Sequence, residues 1–383
     1  MTMTETAAGR RQKLSNDYVM LISITTLLCG VGMMMVISAS SVVATRTSGN
    51  AWSLSFKQFL ALLVGLAGAY FLSCTSLNQL KRLSVVYGLI VLTSLGLVLV
   101  IGKEVGGQQN WIEIAGGFRY QPSEFAKLAL VLFGAWVFAS GQLRNRTHRD
   151  NNILLTIVAG VIIVLVLLEG DLGTPIILGG ITLAIFYAHG LSKRWLAALT
   201  GMGALAVLIY AITGPSYRLE RFQAWLSPET FPSGLGWQFL QGKYALASGG
   251  IFGNGIGHST GKWGSLPAAH TDFILSVIGE ELGVFGTLLT LVLLIAFILT
   301  ALSIALHSSD DFSRMAAFGI AGWFVVQTFI NVGAIVQLVP ITGVPLPFIS
   351  YGGSSMIACL LSVGVLASLA RNNSQLKEVR SRD

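Results

Sequence analysis

Residues 272–305 read DFILSVIGEELGVFGTLLTLVLLIAFILTALSIA. From Leu282 onward the stretch carries no charge. A helix of about 20 such residues crosses the roughly 30 Å hydrocarbon core of a bilayer. The run has no polar face, so lipid or protein must surround it on every side. Three carboxylates, Asp272, Glu280 and Glu281, crowd its first ten positions. Acid groups are expensive near hydrocarbon and need a polar interior to face.

Working outward, nine more apolar runs have spanning length, at 18–43, 54–74, 83–102, 123–140, 152–168, 173–190, 195–213, 314–339 and 352–370. The first is too long for the apolar region of a signal peptide and is expected to stay. The chain is therefore predicted to be an all-α, polytopic membrane protein with about ten transmembrane helices. Its composition agrees: 53% of the 383 residues are hydrophobic and only 11% charged. Soluble domains carry roughly 25% charged residues. The 44 glycines suit helices that approach closely in lipid. Cys29, Cys74 and Cys359 all fall in apolar runs, show no metal-ligand or disulfide spacing, and are expected as buried small residues.

The net charge of +7 does not point to nucleic acid, because topology accounts for it. With the N-terminus inside, the inner segments hold Arg10, Arg11, Lys13, Lys81, Arg82, Arg144, Arg146, Arg149, Lys193, Arg194, Arg314, Arg371, Lys377, Arg380 and Arg382. That is most of the chain's 24 basic residues, as the positive-inside rule requires. An even helix count puts both termini in the cytoplasm. The expected organisation is a tail at 1–17, a transmembrane domain at 18–370 and a tail at 371–383. The tails are short and polar and are expected to be disordered. Three loops then face outward, at about 103–122, 214–271 and 340–351. The second precedes the eighth helix and is the longest segment outside the membrane. Loops of that length are functional or disordered, and its density of Trp, Gly and paired cations argues for function.

Asp272 sits where this loop enters the eighth helix. It is either a carboxylate that accepts a proton or holds a divalent cation, or a helix N-terminal residue that satisfies backbone amides. The helix N-terminus is expected to lower its pKa and keep it ionised. Glu280, about 12 Å further along a helix, and Glu281 either line a wet cavity below it or pair with buried cations. Glu124 and Lys127 are three apart and can form an ion pair, or the pair aims Lys127 at an anionic head group. Glu169 and Asp171, in the tight turn between the fifth and sixth helices, read as solvated. Trp111 reads as an interfacial anchor. The glycine run at 249–257 has no preceding strand and no Lys-Ser or Lys-Thr, so it reads as tight turns and not as a nucleotide loop.

Several motifs in fixed order resemble one family. They are Asn110-Trp111-Ile112; Gln121-Pro122-Ser123-Glu124 with Lys127; Asp171-Leu172-Gly173-Thr174; Gly236-Trp237-Gln238; His270-Thr271-Asp272-Phe273-Ile274 with Gly279-Glu280-Glu281-Leu282-Gly283; Asn331-Val332-Gly333; and Pro347-Phe348-Ile349-Ser350-Tyr351-Gly352-Gly353-Ser354-Ser355. Over nearly its whole length the chain is similar to the SEDS family of shape, elongation, division and sporulation proteins, typified by FtsW and RodA. Gln241-Gly242-Lys243 and Lys262-Trp263 look like the actinobacterial FtsW form, while Glu169-Gly170 departs from the Gln-Pro common in the family.

The resemblance implies a peptidoglycan glycosyltransferase that polymerises lipid II and releases undecaprenyl diphosphate. It implies a class B penicillin-binding protein of the FtsI transpeptidase type as partner, with other division proteins, in the inner membrane at the division septum. It places the family's essential aspartate on Asp272, which therefore becomes the expected catalytic residue and the tentative ligand of a divalent cation, Mg or Mn. No organic cofactor is implied. Trp111, Lys127, Arg218, Arg221, Gln238, Lys243 and His270 are the expected substrate-binding residues, with Glu124, Glu280, Glu281 and Ser354 in support. Two rival expectations are a lipid II flippase and a non-enzymatic scaffold.

Overall fold

The computed structural model describes residues 7–105, 107–114, 117–139, 148–213, 216–231 and 233–380. Ten long helices lie where the apolar runs predict them. They are α1 (Ala7–Ser48), α2 (Ser53–Cys74), α3 (Leu77–Ile101), α4 (Pro122–Ala139), α5 (His148–Leu168), α6 (Gly173–His189), α7 (Lys193–Thr213), α10 (Ile274–His307), α11 (Asp311–Ile335) and α12 (Gly353–Arg380). Eight of these, α1–α5 and α10–α12, are long and apolar enough to cross a membrane, and α6 is a shorter apolar helix. The protein is a multi-pass membrane protein.

Within the described residues, 7–17 and 371–380 of the expected tails are helical, and 1–6 and 381–383 lie outside them. α1 begins at Ala7 and α12 runs to Arg380, because neither tail contains a Pro or Gly that would stop a helix beyond Gly9. α4 and α12 form the buried centre of the bundle, whereas α2, α3 and α5 present much of their surface outward. Cys29 and Cys359 are buried as expected, but Cys74 is exposed at the end of α2.

The three expected outer loops meet at one end of the bundle, and the first two hold regular structure of their own, whereas the third, 340–351, is coil and turns. The first holds a small antiparallel sheet of β1 (Lys103–Val105), β2 (Gln108–Ile114) and β3 (Phe118–Tyr120) in the order β1-β2-β3. Its register pairs Lys103 with Trp111 and Glu113 with Arg119. The second holds α8 (Ser216–Leu226) and α9 (Leu235–Ser248). The glycine run follows α9 as turns laid against α10. At Gly253 (φ +79°) a Cβ would fall 2.2 Å from Glu281 O, so no other residue fits.

α10 is two helices joined at a break. Gly283 has φ 69° and ψ −164°, a conformation open to glycine alone. The amides released by the break are satisfied by the loop: Val284 N–H donates to Gly250 O (2.9 Å) and Phe285 N–H to Ile251 O (3.2 Å). Glu280 and Glu281 therefore close the first segment, Ile274–Leu282, and do not lie partway down one straight membrane helix.

The turn between α5 and α6 also differs from expectation. Glu169 and Asp171 are buried, because the turn packs under β2: Gln109 N–H donates to Glu169 O (2.9 Å). Asp171 caps α6, accepting from Gly173 N–H (2.9 Å), Thr174 N–H (3.1 Å) and the Thr174 hydroxyl (2.6 Å).

Candidate active site

A cavity of about 550 Å³ opens where the three outer loops converge. Its walls come from the ends of α1 and α2, the sheet, the segment before α10 and the segment before α12. Asp272, His270, Trp111 and Ser354 all line it, so the structure brings together four residues expected from distant parts of the sequence. Trp111 is half-buried in this wall on β2 and is not a membrane-belt anchor.

The backbone before α10 is held at three successive carbonyls. His270 O accepts from Tyr351 N–H (2.9 Å), Thr271 O from the Ser350 hydroxyl (2.6 Å) and Asp272 O from Asn331 Nδ2 (2.9 Å). Asn331 also donates to Val344 O (2.8 Å), tying this segment to the loop before α12. Gln58 of α2 holds the same loop from the other side, accepting from Gly352 N–H (3.0 Å). Ser354 accepts from Gln121 N–H (3.0 Å) and donates to Arg119 O (3.3 Å), which fixes the junction of β3 and α4.

With its backbone so fixed, the Asp272 carboxyl accepts no hydrogen bond from any described residue. Asp272 stands one residue before Phe273, the N-cap of α10, and unlike Asp171 at the same place before α6 it receives no amide from the described residues. The expected lowering of its pKa is therefore reversed. Burial pushes the carboxyl up to about 6, and the Arg221 guanidinium on α8 opposes that rise. An acid group of this value is ionised at neutral pH and still basic enough to take a proton. His270 beside it is depressed by burial and so is neutral, and its Nδ1 is buried without a partner among the described residues.

Two cations that the sequence reading passed over face the cavity, Lys57 on α2 and Arg119 on β3. Lys57 donates to Gly117 O (3.0 Å). Arg119 lies 3.7 Å from a Glu113 carboxylate that also binds Lys103 at 2.8 Å. One carboxylate shared between two cations leaves positive charge on this wall. Arg119 also pulls the Tyr351 phenol down against the burial that raises it.

The expected cations are elsewhere. Lys127 is fully buried, 2.7 Å from Glu124, 3.1 Å from Gln327 Oε1 and over the Trp323 ring at 5.2 Å. The pair is structural, and Lys127 is absent from the cavity wall. Lys243 is bonded to the Gln337 side-chain oxygen. Gln238 donates to Pro267 O (3.3 Å) and shapes the loop from behind. Arg221 acts on Asp272 without lining the cavity. The side chain of Arg218 lies outside the described residues.

Glu280 and Glu281 also lie away from the cavity. Glu280 accepts from the Ser259 and Thr260 hydroxyls (2.5 and 2.6 Å) and from Thr260 N–H (2.7 Å). Glu281 pairs with Lys262 at 3.2 Å and accepts from the Ser38 hydroxyl at 2.7 Å. They clamp the loop at 259–262 onto α10 and α1. Among the described residues, no group of three or more His, Cys, Asp or Glu side chains is arranged to hold a metal ion.

A family model described as cell cycle protein, covering FtsW, RodA and SpoVE, matches residues 19–375. The probable peptidoglycan glycosyltransferase FtsW of Mycobacterium tuberculosis is 39% identical over 356 residues, covering 92% of this chain and 67% of the relative. The Bacillus subtilis protein of the same name is 36% identical over 376 residues, covering 93% and 91%. A chain from a peptidoglycan synthase complex that coordinates polymerization and crosslinking superposes with a TM-score of 0.74 at 29% identity, covering 93% of this chain and 98% of that one. The rod shape determining protein RodA of Thermus thermophilus superposes with a TM-score of 0.67 at 25% identity, covering 93% and 97%.

Proposed function

The chain belongs to the FtsW/RodA/SpoVE family of cell cycle proteins, and on that premise we propose that it is a peptidoglycan glycosyltransferase. Its substrate is lipid II and its products are a lengthened glycan strand and undecaprenyl diphosphate. The observation that carries this reading is the Asp272 carboxyl, which accepts no hydrogen bond from the described residues, in a cavity that also holds Lys57 and Arg119.

In the reaction the 4-hydroxyl of the acceptor glucosamine attacks the anomeric carbon of the donor. Asp272 takes the hydroxyl proton as the new O–C bond forms. The bond from the anomeric carbon to the diphosphate breaks, and the electron pair leaves with the diphosphate. Lys57 and Arg119 stabilise that charge, Lys57 as a point charge and Arg119 through paired donors. Trp111 and neutral His270 form the walls against which the sugars rest.

Among the described residues Asp272 would be the sole carboxylate on the cavity wall to hold an Mg or Mn ion, which fits a Mg-type site completed by substrate phosphates. Such an ion would supply further charge stabilisation for the diphosphate. The partner is a class B penicillin-binding protein of the FtsI type, and the superposition on a chain of a synthase complex supports this assignment. The protein works in the bacterial inner membrane at the septum with both termini in the cytoplasm.

Purified protein supplied with lipid II, with and without the partner transpeptidase, tests the reading. Glycan polymer on a gel is expected. Translocation of lipid II across proteoliposomes with no polymer in either condition would replace the enzyme by a flippase.

A further inference from the structure

A second concavity, of about 1000 Å³, lies on another face of α1, beneath the loop at 256–263. Its floor is Met34, Ile37 and Val42, and it rises past Ser41 and Thr45 to Arg46. These positions share one side of the helix at spacings of three and four. The same side carries exposed apolar residues lower on α1, including Val19 and Leu27, 62% and 56% exposed. That stripe faces lipid along the membrane-crossing part of α1, so the groove is open sideways to the bilayer. From Met34 to Arg46 it spans roughly 18 Å at 1.5 Å per residue. That is close to the thickness of one leaflet of a hydrocarbon core of roughly 30 Å.

The chemistry changes along the groove in the order of a lipid: apolar floor, then hydroxyls, then a cation and Trp263 at the rim. Interfacial Trp and Arg sit at head-group level. The charge balance identifies the head group. Lys262 is spent on Glu281 (3.2 Å), Gly257 O (2.6 Å) and Ser38 (3.2 Å). Arg46 uses one of its five donors on Trp263 O (2.8 Å) and has no carboxylate partner among the described residues. One uncompensated guanidinium matches one phosphate charge better than a diphosphate. Glu280 and Glu281 keep the roof in place, which gives the clamp a purpose that the Asp272 cavity does not.

We propose that this groove between α1 and the 256–263 loop binds an anionic phospholipid of the outer leaflet, with its phosphate on Arg46 and an acyl chain along Met34, Ile37 and Val42. The inference stands independently of the reaction proposed above.

Native mass spectrometry of the full-length protein tests it, from micelles doped with dioleoyl phosphatidylglycerol or dioleoyl phosphatidylcholine. Wild type is expected to retain phosphatidylglycerol about tenfold better, because phosphatidylcholine offers the same phosphate but brings its choline cation beside the uncompensated Arg46 guanidinium, a like-charge contact that is unfavourable even in water. Arg46→Gln is expected to bring the two lipids level. Ile37→Trp fills the floor, leaves the Arg46–Trp263 bond intact and is expected to lose both lipids. Equal retention of the two lipids by wild type overturns the proposal, as does wild-type retention of phosphatidylglycerol by either variant. Preferential retention of undecaprenyl diphosphate at equal concentration overturns the phospholipid assignment.

Discussion

Asp272 and the pair Glu280–Glu281 stand within ten residues of one another at the start of α10, yet they serve opposite ends. Every one of the four oxygens of the pair accepts a hydrogen bond, from loop amides, hydroxyls or Lys262. The Asp272 carboxyl accepts none from the described residues, although its backbone carbonyl is held by Asn331. A carboxylate whose acceptor capacity is spent fixes structure. One whose backbone is fixed and whose oxygens are unspent is available to a substrate proton. The difference arises from what each acid faces: Asp272 lines the cavity, whereas Glu280 and Glu281 face a loop that folds back on them.

The comparison is sharpest where one class of acid is removed at a time. Asp272→Asn is expected to lower lipid II turnover by about 10²–10⁴-fold, the range for loss of a general base, with the folded protein intact by size-exclusion chromatography. Glu281→Ala should behave inversely. It leaves the buried Lys262 ammonium unpaired, at a cost of about 3–5 kcal/mol, so thermal unfolding should move down sharply. Equal loss of activity and no loss of stability in both variants would erase the distinction.

Arg119→Ala should reduce kcat/KM about tenfold or more through loss of a charge-assisted contact to diphosphate. Lys127→Met probes a buried pair instead and should register first in thermal stability.

The smallest effect on turnover is expected at Glu169. Burial, with Asp171 adding to it, pushes this carboxyl from 4.5 up to about 9, and neither oxygen has a partner among the described residues. Its folded value lies above its unfolded one. The associated stability is thus present below 4.5 and is lost as pH rises through the interval to about 9. Glu169→Gln should leave turnover unchanged and flatten that part of the thermal stability profile.

The helices were legible because hydrocarbon demands long apolar runs, and nothing local competes with that demand. The break at Gly283 was not, since one glycine inside an apolar run looks like the packing glycines elsewhere. The sheet at 103–120 was hidden by strands of three to seven residues, too short to show a period. Asp272 and Trp111 were legible through their place in motifs. Lys57 and Arg119 were not: each is a lone cation near a helix or strand end, and only the meeting of three distant loops gives them a common cavity. The spacing of Glu124 and Lys127 correctly foretold a pair, but spacing carries no information on which side of α4 meets Trp323 and Gln327.

The claim that Asp272 is an unspent base is tested most directly by the pH dependence of kcat/KM for lipid II polymerisation by the wild-type protein. An acid limb centred near 6 is expected, falling tenfold per pH unit below it, because the carboxylate must be free of its proton to accept another. Full activity held flat down to pH 4.5 would contradict the account.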